Sequence, residues 1–334
     1  MQDMGFNSVI GHEDIIHHFR AALTTGKISH AYILAGDKGS GKKMLAGIFA
    51  AALQCEDRES DPCYQCESCR KAQHQNHPDI IRLVHDKPAT ISVDDIREQV
   101  VAAAALKPFE SRYKIFIIGD AEKMTPQAQN ALLKTIEEPP AYAVFLLLTQ
   151  SLEALLPTIV SRCVTLNLKP LPDRKIAEYL MAVHHIPAYD AEIAAAFSQG
   201  SIGRAREVVL EENYMVKTEE TINLLRRINK WTMKEMVDYL KTITSEKLNI
   251  QDYLDILRLW FRDVLMFKAT KEIDNLIFKK EMKDIREQAV KCSYEGLEDI
   301  LRSITRAEER LRANVSFELT VELLLLSVRE NMNG

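Results

Sequence analysis

Through the first half of the chain, short apolar runs alternate with amphipathic stretches. Five runs have strand length: residues 30–34 (HAYIL), 79–84 (DIIRLV), 114–119 (KIFIIG), 144–148 (VFLLL) and 163–168 (CVTLNL). Several are apolar at every position, the mark of strands covered on both faces. Between them lie helix-period stretches: residues 41–53 (GKKMLAGIFAAAL), 92–106 (SVDDIREQVVAAAAL) and 126–138 (PQAQNALLKTIEE). Ser92 or Thr90 can start the second, and Pro126 suits the first turn of the third. The pattern predicts an α/β domain with a parallel sheet. At residues 168–173 (LKPLPD) two prolines interrupt it, and strand signals stop. Residues 169–212 read as a small helical unit. From 213 to 334 the apolar spacing is helical almost throughout, as in 236–243 (MVDYLKTI), 253–267 (YLDILRLWFRDVLMF) and 297–311 (LEDILRSITRAEERL). The expected division is therefore 1–168, 169–212 and 213–334.

Composition narrows the function classes. With 334 residues and 46% hydrophobic residues, the chain can bury two or three cores. No apolar run reaches membrane-spanning length, and residues 1–20 lack the basic and apolar regions of a secretory signal. A cytoplasmic protein is expected. The net charge of −5 argues against strong DNA binding by the isolated chain.

Six cysteines without an export signal suggest a reducing compartment, where a cluster means metal more often than disulfides. Cys55, Cys63, Cys66 and Cys69 form C-x₇-C-x₂-C-x₂-C. The two short steps let paired sulfurs reach one ion, and four thiolates complete a tetrahedral, structural Zn²⁺ site. Cys163 and Cys292 stand alone and read as small apolar residues.

The stretch 36–43 (GDKGSGKK) follows a strand and opens a helix, the setting of a phosphate-binding loop. Gly36, Gly39, Gly41 and Lys42 form the expected cradle. Lys43 stands where a hydroxyl residue would ligate Mg²⁺, and an ammonium there competes with the ion. In 114–124 (KIFIIGDAEKM), Gly119 and Asp120 stand where an NTPase carries an Asp-Glu pair for metal and water. Asp120 falls one residue late, which leaves a shifted role open. Both departures predict a cradle without productive ATP and Mg²⁺ binding.

The stretches FNSVIGHEDI, KISHAYILAGDKGSGK, the four-cysteine insert, NHPDI, ALLKTIEEPP and TIVSRC occur in this order in bacterial clamp loader subunits. These are AAA+ proteins of the DNA polymerase III holoenzyme, and the chain resembles them. The resemblance is dense over residues 6–168, weaker at 200–205 (GSIGRA), and returns at 311–326 (LRANVSFELTVELLLL). It implies a RecA-like core with a zinc module at 55–69, a small helical lid and a helical collar that oligomerises. The gamma and tau motor subunits keep an intact loop and a D-E pair, whereas this chain is similar to members that lack both. The implied function is a non-hydrolysing stator, with an active ATPase motor of gamma/tau type as the alternative. The implied partners are the gamma/tau and delta subunits, with the sliding clamp and primed DNA reached through the complex.

Within Ser161-Arg162-Cys163, the resemblance makes Arg162 a finger reaching a neighbour's ATP, where a guanidinium stabilises the γ-phosphoryl charge. Thr149 falls at a γ-phosphate-sensing position but reads as an ordinary strand-end hydroxyl. Gly203 replaces a motor-subunit arginine, with Arg204 one residue on. The polar side of ALLKTIEEPP (Asn130, Lys134, Glu137, Glu138) reads as a solvated face, and the family places it near a subunit boundary. Residues 257–267 (LRLWFRDVLMF) read first as core and second as a surface for helix packing between subunits.

Overall fold

The computed structural model describes residues 5–57, 60–85, 87–210, 214–227, 250–313 and 315–332. The expected helix at 236–243 lies outside them. The chain packs as two units. One comprises residues 1–175 with 200–204, and the other 176–199 with 205–334.

All five anticipated strands form in the first unit. They are β1 (Ala31–Ala35), β2 (Ile80–Arg82), β3 (Lys114–Ile118), β4 (Ala143–Thr149) and β5 (Val164–Asn167). They pair in parallel in the order β2-β3-β4-β1-β5. β1, β3 and β4 are buried at every position. The pleat sends alternate residues into two cores. Tyr32 and Leu34 join Phe19, Phe49, Ile117 and Leu146 on one face. Ile33 joins Phe116, Phe145, Leu132 and Ile136 on the other. Stacked rings fill both layers, Phe19 on Phe49 at 4.0 Å and Phe116 on Phe145 at 5.1 Å between centroids.

Local chemistry sets the helix ends. Ser92 accepts the Asp95 amide while Asp95 accepts the Ser92 amide, a reciprocal cap. Thr125 caps Pro126–Glu137, with proline in the first turn. The helix opening at Val93 passes into a π-helical segment, Arg97–Val101. There the Gln99 amide bonds both the N–H and the C=O of Val84, just past the edge strand β2.

The second unit is helical among its described residues. Tyr294–Arg312 lies against Phe317–Asn331, and Ile250–Thr270 packs on Met282–Lys291 and Tyr294–Arg312. Trp260, Phe261, Val264 and Phe267 are buried, with the Trp260 indole donating to Gln288 at 2.8 Å. Residues 257–267 thus form core, and these large rings are spent inside the unit. Val290, Tyr294, Leu319 and Leu323 are among its exposed apolar residues instead.

Candidate functional site

β1 ends at Ala35 and the helix Lys42–Gln54 begins seven residues on, so the loop 36–41 wraps the helix N-terminus. Gly39 and Gly41 take left-handed φ of 78° and 99°, which explains why glycine stands there. The Lys42 ammonium folds back onto its own loop, donating to the Gly36 and Asp37 carbonyls. Burial pulls it below its ordinary pKa, against the opposing pull of Glu122, Asp37 and Asp120. Its donors are turned onto the cradle's own carbonyls.

The two departures at the expected metal position meet in space. A Cβ placed on Gly119 would lie 3.9 Å from Lys43 Cε. The lysine stem therefore runs past the place where an acidic side chain would start. Asp120 has left-handed backbone, and its carboxylate pairs with Lys123 at 3.4 Å. Glu122 is held by the backbone and side-chain amides of Gln150. The Thr149 hydroxyl is buried and bonded to Ser151, donating to its carbonyl at 2.8 Å and accepting its amide at 3.2 Å. It serves the strand end.

The segment 200–204 lies directly on this loop. The Gly203 amide donates to the Gly39 carbonyl at 2.9 Å, and the Ser201 hydroxyl to the Lys38 carbonyl at 3.0 Å. A Cβ on Gly203 would fall 2.7 Å from Gly39 Cα, which explains why glycine stands there.

Cys55, Cys63, Cys66 and Cys69 converge, with all four sulfurs within 4.8 Å of one another. Cys55 caps the C-terminus of Lys42–Gln54, and Cys66 caps Glu67–Gln73 by accepting the Cys69 amide. The amides of Gln65 and Cys66 point at the Cys63 sulfur, and that of Cys63 at the Cys55 sulfur. Cys63 and Cys69 sulfurs lie 4.0 Å apart, near the ~3.8 Å of a tetrahedron with Zn–S bonds of about 2.3 Å. Burial, then a hydrogen bond with Asp57, pushes the Cys63 thiol up to about 11. Crowded thiols of this kind fit a zinc ion, which would take them as thiolates. Cys292 is buried, and Cys163 is half-buried with its thiol pushed up to about 12 by burial.

Beside the cluster lies a polar network that the sequence did not reveal. The buried Asp79 carboxylate accepts the amides of Phe109, Glu110 and Ser111 at 2.6–3.0 Å. Buried His77 accepts the Asp79 amide at Nδ1, so Nε2 carries the proton and faces the hydroxyls of Ser68 at 2.9 Å and Ser111 at 3.3 Å. The loop 109–111 that Asp79 holds lies about thirty residues away in the chain, beyond any periodic signal.

Arg162 sits in the turn between the short helix Pro157–Val160 and β5. Its side chain is 41% exposed and ion-pairs with Glu137 at 3.0 Å.

A model of the family "DNA polymerase III, delta subunit" matches residues 11–172, and one for the C-terminal part of that subunit matches 218–330. The DNA polymerase III subunit delta' of Bacillus subtilis is 28% identical over 317 residues, spanning 92% of this chain and 93% of that protein. The chain belongs to the delta prime family of DNA polymerase III clamp loader subunits. The tau/gamma subunit of Haemophilus influenzae is 35% identical over 203 residues, 59% of this chain and 29% of that protein. The B. subtilis tau subunit is 24% identical over 343 residues, 95% of this chain and 60% of that protein. The fold is a five-stranded parallel α/β domain with a four-cysteine cluster that fits zinc, followed by a helical C-terminal region. No described helix is long and apolar enough to cross a membrane.

Proposed function

We propose that this delta prime chain is the stator of a clamp loader in the cytoplasm. It does not hydrolyse ATP itself, and it lends Arg162 to the ATP of a neighbouring gamma or tau subunit. Its three parts divide the work: 1–168 carries the finger, 169–212 is the lid, and 213–334 is the collar that joins the ring. Together with gamma/tau and delta it supports ATP-dependent loading of the sliding clamp onto primed DNA. Zn²⁺ on Cys55, Cys63, Cys66 and Cys69 is structural, with no open position for chemistry.

One observation carries the reading: Lys43 runs past Gly119, so both expected Mg²⁺ positions change together. Hydrolysis needs a metal to neutralise the β- and γ-oxygens. The Lys42 contacts with Gly36 and Asp37 point the same way. The exposure of Arg162 in a turn supports a role toward another chain. The motor alternative asks Asp120 for the metal role, yet that carboxylate pairs with Lys123.

Mg²⁺-dependent hydrolysis by the purified chain is the direct test. The reading expects no turnover above background. Turnover that disappears on Lys42→Ala would make the chain a motor.

A further inference from the structure

Arg162 uses both terminal nitrogens within its own unit. Nη2 meets Glu137 Oε1 at 3.0 Å. Nη1 donates to the Thr158 carbonyl at 3.0 Å and to Ser161 Oγ at 3.4 Å. A guanidinium meets phosphate best through two parallel N–H donors. With both arms engaged at home, the fork cannot present both to an outside anion.

Glu137 stands in an unfavourable place for a helix. It is the last residue of Pro126–Glu137, where the helix dipole repels a carboxylate. Lys134 lies in the same last turn, and Arg162 is the cation that pairs with Glu137 directly. Both side chains are partly exposed, at 41% and 39%, so the pair is held by charge rather than by burial.

We propose that Glu137 is the resting partner of Arg162, a gate that keeps the fork on its own subunit until a neighbouring triphosphate draws it away. The inference rests on the finger role of Arg162 proposed above. A single screened carboxylate competes against a triphosphate with several charges in a sheltered cleft. A diphosphate lacks the γ-oxygens that the finger stabilises, so release follows the γ-phosphate. Glu137 is thus a positioning residue. It acts on the apparent affinity for ATP, while Arg162 acts on the rate of transfer. An exposed ion pair weights the resting position by up to about fivefold.

The test is a cycle in the reconstituted clamp loader, with this subunit as wild type, Glu137→Gln, Arg162→Ala or both. ATP hydrolysis is followed across ATP concentration without DNA or clamp. Glu137→Gln should lower KM by up to about fivefold, with the change in KM rather than kcat. In the Arg162→Ala background the same substitution should do nothing, because no guanidinium remains to be held. If Arg162→Ala leaves hydrolysis unchanged in the assembled complex, the finger reading itself fails. If Arg162→Ala slows hydrolysis, the gate is refuted by any of three results for Glu137→Gln: an unchanged KM, a raised KM, or an equal effect with Arg162 absent.

Discussion

His77 shows how a single buried group makes the first unit sensitive to acid. Burial lowers its pKa below the ordinary 6.5, opposed by Glu110 and Asp79. Nδ1 accepts the Asp79 amide, which a protonated ring cannot do. The unfolded chain therefore binds a proton that the folded one resists. Stability from His77 is complete above the unfolded value of 6.5 and is lost as pH falls below it. His77→Gln should flatten part of this slope, read as urea midpoints at pH 7.5 and 5.5. An unchanged slope would mean that His77 protonates without disturbing the fold. Gly203 gives a second residue-scale prediction. Gly203→Ala would press a methyl carbon to 2.7 Å from Gly39 Cα, a backbone atom that cannot swing aside. A loss of about 1–3 kcal/mol is expected in chemical denaturation. A silent substitution would mean that the segment 200–204 does not rest on the loop in solution.

At the scale of elements, the sheet was legible because burial on both faces left unbroken apolar runs. The cysteine module was legible because metal ligands need short spacing. The loop 36–41 was legible from its glycines, and Lys43 and Gly119 each announced a departure, though only the fold brings them side by side. Other features left no pattern. Asp79 and Asp263 each bind backbone amides of a separate loop, Asp263 holding Ile277 and Phe278 at 2.7 and 2.8 Å. The π-helical segment 97–101 looks like ordinary helix in sequence, since one extra residue does not alter its apolar content. Arg162 carried no signal of its own, and only the resemblance singled it out. The four-cysteine module should contain zinc by elemental analysis of the reduced protein. Cys66→Ala removes both a ligand and the cap of Glu67–Gln73. It should sacrifice a sizeable part of the ~10 kcal/mol that four-ligand zinc contributes in small peptides. Zinc-free protein of undiminished stability would end the assignment.

On the scale of the whole molecule, the proposed function pairs a phosphate loop without its own reaction with a residue that serves a reaction elsewhere. The helical region beyond 213 should carry assembly, with contact made by surface residues such as Leu319 and Leu323, since Trp260, Phe261 and Phe267 are buried. A protein ending near 213 that still joined the complex with full affinity would contradict this. The central claim is that Arg162 acts in trans, and the most direct measurement is DNA- and clamp-stimulated ATP hydrolysis by a reconstituted loader carrying Arg162→Ala in this subunit alone. Removing an arginine finger typically costs about 10³–10⁵ in rate at its site, and other sites in the ring mask part of the loss. The account predicts normal assembly, slowed hydrolysis at one site, impaired clamp loading, and no rescue by Arg162→Lys, because a point charge cannot replace a planar fork. Normal hydrolysis and normal loading by a fully assembled Arg162→Ala complex would contradict it.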